Sequence, residues 1–159
     1  MKKYLFVLML LTAGSYLCAQ PYGLAVGLRM GGDVGLSVKG FNSSGLGIEG
    51  IAQGYRDGLW LTCLAEKHVS ALDVRSLYWY YGAGGHLGIF DEDYDRRWYD
   101  DDDDYFAFGI DGILGVEYVV REIPFTLSLD WKPAFTFSPW QENWDFRNDY
   151  AISVRFRLK

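Results

Sequence analysis

From Phe125 to Ser138 the chain alternates, residue by residue, between two chemically different faces. Phe125, Leu127, Leu129, Trp131, Phe135 and Phe137 share one face with Pro133, while Thr126, Ser128, Asp130, Lys132, Ala134, Thr136 and Ser138 share the other. A period of two is the signature of an extended strand, whose successive side chains point to opposite sides of a sheet. The pattern recurs along the chain. Phe106, Phe108, Ile110, Leu114, Val116 and Tyr118 alternate with Ala107, Gly109, Asp111, Gly115 and Glu117; Ile152, Val154, Phe156 and Leu158 alternate with Ser153, Arg155, Arg157 and Lys159. Leu24, Val26, Leu28 and Met30 alternate with Ala25, Gly27 and Arg29, and Leu36 and Val38 with Ser37 and Lys39. Pro133 lacks a ladder donor, so a bulge or a local break is expected at that point of its strand.

Eight strands are expected, over about 23–31, 33–42, 45–55, 58–67, 76–90, 105–120, 124–138 and 149–159. The phase of the third and fourth stays open, because Leu59, Leu61 and Cys63 compete with Trp60, Thr62 and Leu64 for the outward face. No later stretch approaches the 18 or so consecutive apolar residues of a spanning helix, so any membrane embedding must be by strands.

The two faces decide between a soluble sandwich and a membrane barrel. The apolar faces carry more Phe, Trp and Tyr than one thin core between two sheets accommodates. The opposite faces hold small residues with isolated charges of both signs. The expected fold is therefore all-β, a closed antiparallel up-and-down transmembrane β-barrel of eight strands with its aromatic side toward lipid. Its interior ion-pair network is expected to use Arg29, Lys39, Glu49, Asp111, Glu117, Asp130, Lys132, Arg155 and Arg157.

The N-terminus is read as an export signal. Lys2 and Lys3 precede an apolar stretch, Leu5 to Ala13, and the small residue Ala19 stands before Gln20. Residues 1–19 are expected to be a cleaved signal peptide for the Sec pathway, and residues 20–159 one barrel domain. An uncleaved anchor and a lipoprotein cut before Cys18 are the alternatives; the apolar stretch is short for the first, and Ser15, Tyr16 and Leu17 match the second poorly. Cleavage leaves Cys63 alone, so no intramolecular disulfide forms.

With the N-terminus on the periplasmic side, the outer connections fall near Gly31 to Asp33, Arg56 to Gly58, Asp91 to Asp104 and Pro139 to Asn148. The inner ones fall near Asn42 to Ser44, His68 to Arg75 and Arg121 to Pro124. The third outer loop contains Asp91, Glu92, Asp93, Asp95, Asp100, Asp101, Asp102, Asp103 and Asp104 against two arginines, a net charge of −7 where the whole chain carries −6. Carboxylate oxygens suit weak Ca²⁺ or Mg²⁺ binding, but the loop lacks the glycine-punctuated spacing of a preformed calcium site and reads as a solvated surface loop. The fourth carries Trp140, Trp144 and Phe146, either as part of an interfacial girdle or as a binding patch.

The candidate catalytic base is His86, which shares a face with Tyr78, Tyr80, Gly82, Gly84 and Gly88. A histidine base needs a partner acid and a nucleophile within hydrogen-bond reach, and no spacing motif supplies them. No catalytic residue, metal site or cofactor is assigned. His68 is expected in an inner turn.

The Ala19-Gln20 junction, the stretch Trp79-Tyr80-Tyr81-Gly82-Ala83-Gly84-Gly85-His86 and the stretch Leu129-Asp130-Trp131-Lys132-Pro133-Ala134-Phe135 resemble small outer-membrane β-barrel proteins of Gram-negative bacteria. In overall plan these are like the OmpA transmembrane domain and OmpX. The resemblance implies a polar, plugged interior, outer-membrane lipid as surroundings and insertion by the barrel-assembly machinery. The role expected is structural, or an interaction with an extracellular surface or protein partner. A lipid-modifying outer-membrane enzyme and a soluble periplasmic barrel for a small apolar ligand are the alternatives. No nucleic-acid partner is expected, and eight strands leave too narrow a lumen for a transport pore.

Overall fold

The computed structural model describes residues 22–55, 58–71, 74–90, 105–139 and 143–158. Eight strands follow in chain order: β1 (Leu24–Met30), β2 (Val34–Phe41), β3 (Leu46–Tyr55), β4 (Gly58–Ser70), β5 (Leu77–Phe90), β6 (Tyr105–Val119), β7 (Phe125–Ser138) and β8 (Asn143–Leu158). Each pairs antiparallel with its neighbours, and β1 pairs with β8 to close the barrel. The all-β, eight-stranded architecture is as the alternation requires, and the β1–β8 pairing joins the two end strands over Leu24–Met30 and Ile152–Leu158.

Register fixes the barrel's dimensions. Following partners from Gly27 through Ser37, Ile51, Thr62, His86, Gly109 and Thr136 arrives at Asp145 on β8. Gly27 itself pairs with Arg155 across the closing seam, so the stagger is 155 − 145, or ten residues. Eight strands with that shear, at ordinary strand spacings, tilt by about 41° and enclose a backbone radius of about 8 Å. Such a lumen is filled by side chains.

Alternation then sorts the residues. Leu28, Leu36, Ile48, Leu61, Leu87, Ile110, Leu129 and Ile152, one from each strand, are exposed on the outer wall, whereas Arg29, Lys39, Glu49, Glu66, Tyr80, Asp111, Asp130 and Arg155 are buried inside. The open phase of β3 and β4 is settled by the same rule. Leu59, Leu61 and Cys63 face out; Thr62, Leu64, Glu66 and His68 face in. Leu64 meets Ile51, Tyr80 and Ile113 in a small apolar cluster within the lumen.

Two segments depart from expectation. β4 runs to Ser70, so His68 belongs to a strand and is buried rather than sitting in a turn. β8 begins at Asn143 rather than near 149, which places Trp144 and Phe146 on the outer wall of a strand instead of in a loop. Phe137 lies 5.2 Å from Trp144 and Phe135 lies 4.8 Å from Phe146, so cross-strand ring contacts hold this part of β8 in register. Trp140 and the acidic connection Asp91 to Asp104 lie outside the described residues. At Pro133 the β6–β7 pairing skips Gly112 and Ile113 and resumes in the same register, a local break without an inserted residue.

Candidate functional site

At the upper end of the barrel β1, β3, β5 and β7 finish and β2, β4, β6 and β8 begin. Two polar clusters fill the lumen between it and the lower end.

The lower cluster centres on Lys39 and Arg155. Lys39 Nζ lies 2.8 Å from Glu66 Oε2, 3.0 Å from Glu49 Oε2 and 3.9 Å from Glu117 Oε2, and sits 4.1 Å from the centre of the Tyr80 ring. Arg155 pairs with Glu49, reaches Glu117 at 3.5 Å, and donates to Ser37 Oγ at 2.6 Å and Ser128 Oγ at 2.7 Å. Ser37 in turn donates to Glu49 at 2.5 Å. Tyr22, just below β1, donates its phenol proton to Glu117 at 3.2 Å. Burial, reinforced by the Glu117 carboxylate, pushes that phenol above its ordinary range and keeps it a donor. His68 stacks on Tyr80 at 4.8 Å, and neither ring nitrogen has a hydrogen-bond partner among the described residues. Every one of these strand groups is almost fully buried, so the pairs act in a medium where an unpartnered charge is costly.

The upper cluster has two limbs. Arg29 forks between Asp130 and Asp149, each at 2.5 Å, while Tyr80 donates to Asp130 at 3.3 Å. Asp111 stands between Lys132 Nζ at 2.9 Å and His86 Nδ1 at 2.7 Å, and His86 Nε2 lies 3.1 Å from Thr136 Oγ1. Above them a small cavity of about 20 Å³, partly open to solvent, is lined by Trp60, Thr62, His86, Lys132, Thr136 and Arg147 among others. Arg147 pairs with Asp33 at its rim.

Two glycines make room for rings. A Cβ on Gly115 would stand 2.6 Å from Tyr80 Cζ, and one on Gly109 would stand 2.6 Å from His86 Cε1. Both positions admit an inward-pointing ring only because they have no side chain.

Of the nine residues expected inside, Arg29, Lys39, Glu49, Asp111, Glu117, Asp130, Lys132 and Arg155 are buried in the two clusters. Arg157 is not among them: it is at the lower rim, donating to the Val120 and Ile123 carbonyls at 2.7 and 2.9 Å. Sequence reasoning missed Glu66, His68 and Asp149, which the extended β4 and β8 carry inward. Alternation was the available signal, since Glu66 and His68 continue the phase of Thr62 and Leu64. The buried set holds four Lys or Arg side chains against six carboxylates, which is why Lys39 is shared among three glutamates. Among the described residues no three His, Cys, Asp or Glu side chains are placed to hold a metal ion.

Comparison with protein-family models, with curated proteins and with solved structures returns no match.

Proposed function

We propose that the chain is an outer-membrane barrel with a structural or surface-interaction role. The observation that carries this reading is the inverted polarity of a closed wall. Large apolar side chains are exposed on all eight strands, while the strand-borne Arg29, Lys39, Lys132 and Arg155 and their carboxylate partners are hidden in the lumen. A water-soluble monomer rarely exposes a contiguous apolar patch beyond a few hundred Å², because that surface costs free energy in water. In hydrocarbon the cost disappears, and closed pairing satisfies most of the ladder groups that lipid cannot.

Aromatic placement agrees with a bilayer. Phe106, Phe108, Phe137, Trp144, Phe135 and Phe146 form a contiguous sector near the upper end, and Phe125 and Phe156 meet at 5.4 Å near the lower end. Aromatic side chains favour the two membrane interfaces. On this reading the upper end faces outside the cell, residues 1–19 are removed during export, and lipid and the assembly machinery are the first partners. The paired lumen conducts no solute, and partner recognition falls to the upper connections.

The reading is tested by expressing the full precursor in a Gram-negative host. The protein is expected in the outer-membrane fraction, with an unheated detergent extract running at a different gel mobility from a boiled one. A product that stays soluble without detergent and shows no heat-dependent shift would overturn it.

A further inference from the structure

Among the described strand residues, Lys67 is the one charged side chain that takes the outward phase. It stands between Glu66 and His68, which are both buried in the lumen, and near the foot of the wall, since β4 ends at Ser70. Every other strand-borne charge points inward, where most are paired, whereas no ion pair among the described residues includes Lys67. An ammonium on a lipid-facing strand is unfavourable unless its stem carries it to water or to an anion at the membrane surface.

Register leads from Lys67 into a groove. Lys67 pairs with Tyr81, Tyr81 with Leu114, Leu114 with Trp131, and Trp131 with Tyr150. This row takes four of the eight steps around the barrel and so gains half of the ten-residue stagger; at the strand tilt it climbs about 12 Å from Lys67 to Tyr150. Along the climb lies an apolar groove of about 440 Å³ in the outer wall, lined by Leu114, Val116 and Leu129 with the rings of Trp79, Trp131 and Tyr150. The rings are fixed by their neighbours. Trp131 Nε1 donates to Asn148 Oδ1 at 3.0 Å, Trp131 and Tyr150 stack at 6.5 Å, and Trp79 lies 5.4 Å from Tyr81.

We infer that Lys67 and this groove form one binding site for an anionic phospholipid of the lower leaflet, with the phosphate at Lys67 Nζ and an acyl chain lying up the groove. The inference rests on the bilayer reading above and adds a preferred lipid to it. Charge complementarity selects the headgroup. Below Lys67, Arg75 and Arg121 are exposed in the β4–β5 and β6–β7 connections, against Glu122 alone among the described residues of those connections. Arg121 Nε donates to Ser76 Oγ at 2.6 Å, which ties the two connections together on this side of the barrel. A zwitterionic headgroup carries its own ammonium, which competes with Lys67 for the phosphate; an anionic one does not. The chain is selected by contact, because rings standing beside a groove give an extended hydrocarbon more close neighbours than a smooth convex wall does.

The test uses the full-length chain, exported, extracted into detergent and reconstituted into phosphatidylcholine vesicles, with Trp131 kept and the other tryptophans replaced by phenylalanine. Brominated phosphatidylglycerol, added as a small fraction of the lipid, is expected to quench Trp131 with an apparent affinity about fivefold above that of brominated phosphatidylcholine. Lys67→Gln, which removes the charge, and Val116→Phe, which fills the groove, should each bring that ratio to about one, and Lys67→Arg should keep it. A sole tryptophan introduced on the opposite wall by Leu36→Trp should be quenched equally by the two lipids. Equal quenching of Trp131 by the two lipids, or a preference undiminished by Lys67→Gln, would overturn the lipid site and leave the bilayer reading standing. Quenching of neither tryptophan by either brominated lipid would overturn both.

Discussion

Replacing Arg155 by leucine is expected to lower the unfolding free energy in lipid vesicles by about 3–5 kcal/mol, read from a urea titration. The guanidinium is fully buried and is a partner of Glu49, Glu117, Ser37 and Ser128. Its removal leaves Lys39 as the one strand-borne cation within 4 Å of Glu49, Glu66 and Glu117 among the described residues. The cost comes from stranding carboxylates in a low-dielectric lumen rather than from losing a contact, so the added apolar volume of leucine does not offset it. Arg155→Lys should recover only part of the loss, since an ammonium cannot reproduce the planar fork that reaches four partners. Arg157→Leu, two residues along the same face, is expected to cost no more than about 1–3 kcal/mol, because it breaks hydrogen bonds to two carbonyls at a partly exposed rim. Equal losses at the two arginines would contradict the lumen assignment.

Ile110→Arg is expected to cost about 2–4 kcal/mol in bilayers, and Phe106→Arg, four residues nearer the upper end on the same face, clearly less. Both side chains are exposed on β6, at 64% and 53%. On a water-facing wall, an arginine at either position would change stability by no more than about 0.5 kcal/mol. A gradient with height along one strand is therefore the mark of a hydrocarbon slab. Urea unfolding of the two variants in vesicles gives the comparison, and matched small effects at both heights would remove the lipid from the account.

The fold was legible wherever the two faces differ in chemistry. β1, β2, β6 and β7 place an apolar residue against a small or polar one at nearly every step, so their burial could be read directly. β4 defeated that reading because both of its faces mix leucine with polar or small residues. Its phase is set by neighbours instead: Thr62 pairs with His86 and Leu64 with Gly84, which carries Thr62 and Leu64 inward. The start of β8 was lost for a different reason. Its dense charge resembles a loop, although Trp144, Phe146 and Tyr150 alternate with Asp145, Arg147 and Asp149. Outward rings and an inward Asp149 that meets Arg29 make it a strand.

The polar clusters were legible as a list and illegible as pairs. Lys39 draws its partners from β3, β4 and β6, and His86 meets groups 25 and 50 residues away in the chain. Such contacts depend on a ten-residue stagger that no single strand encodes. Asp111 could be named as buried from its own strand; that it faces His86 across a gap opened by Gly109 could not.

The central claim, that the aromatic wall faces lipid and the charged faces enclose the lumen, is tested most directly by tryptophan quenching in bilayers with brominated acyl chains. Trp131 lies on the outer wall, and Trp60 lines the upper cavity. Variants retaining one of these as the sole tryptophan are reconstituted into such vesicles, and their emission is compared with that in unbrominated lipid. Strong quenching of Trp131 with little change at Trp60 is the predicted result. Quenching of Trp60 rather than Trp131, or of neither, would contradict the account.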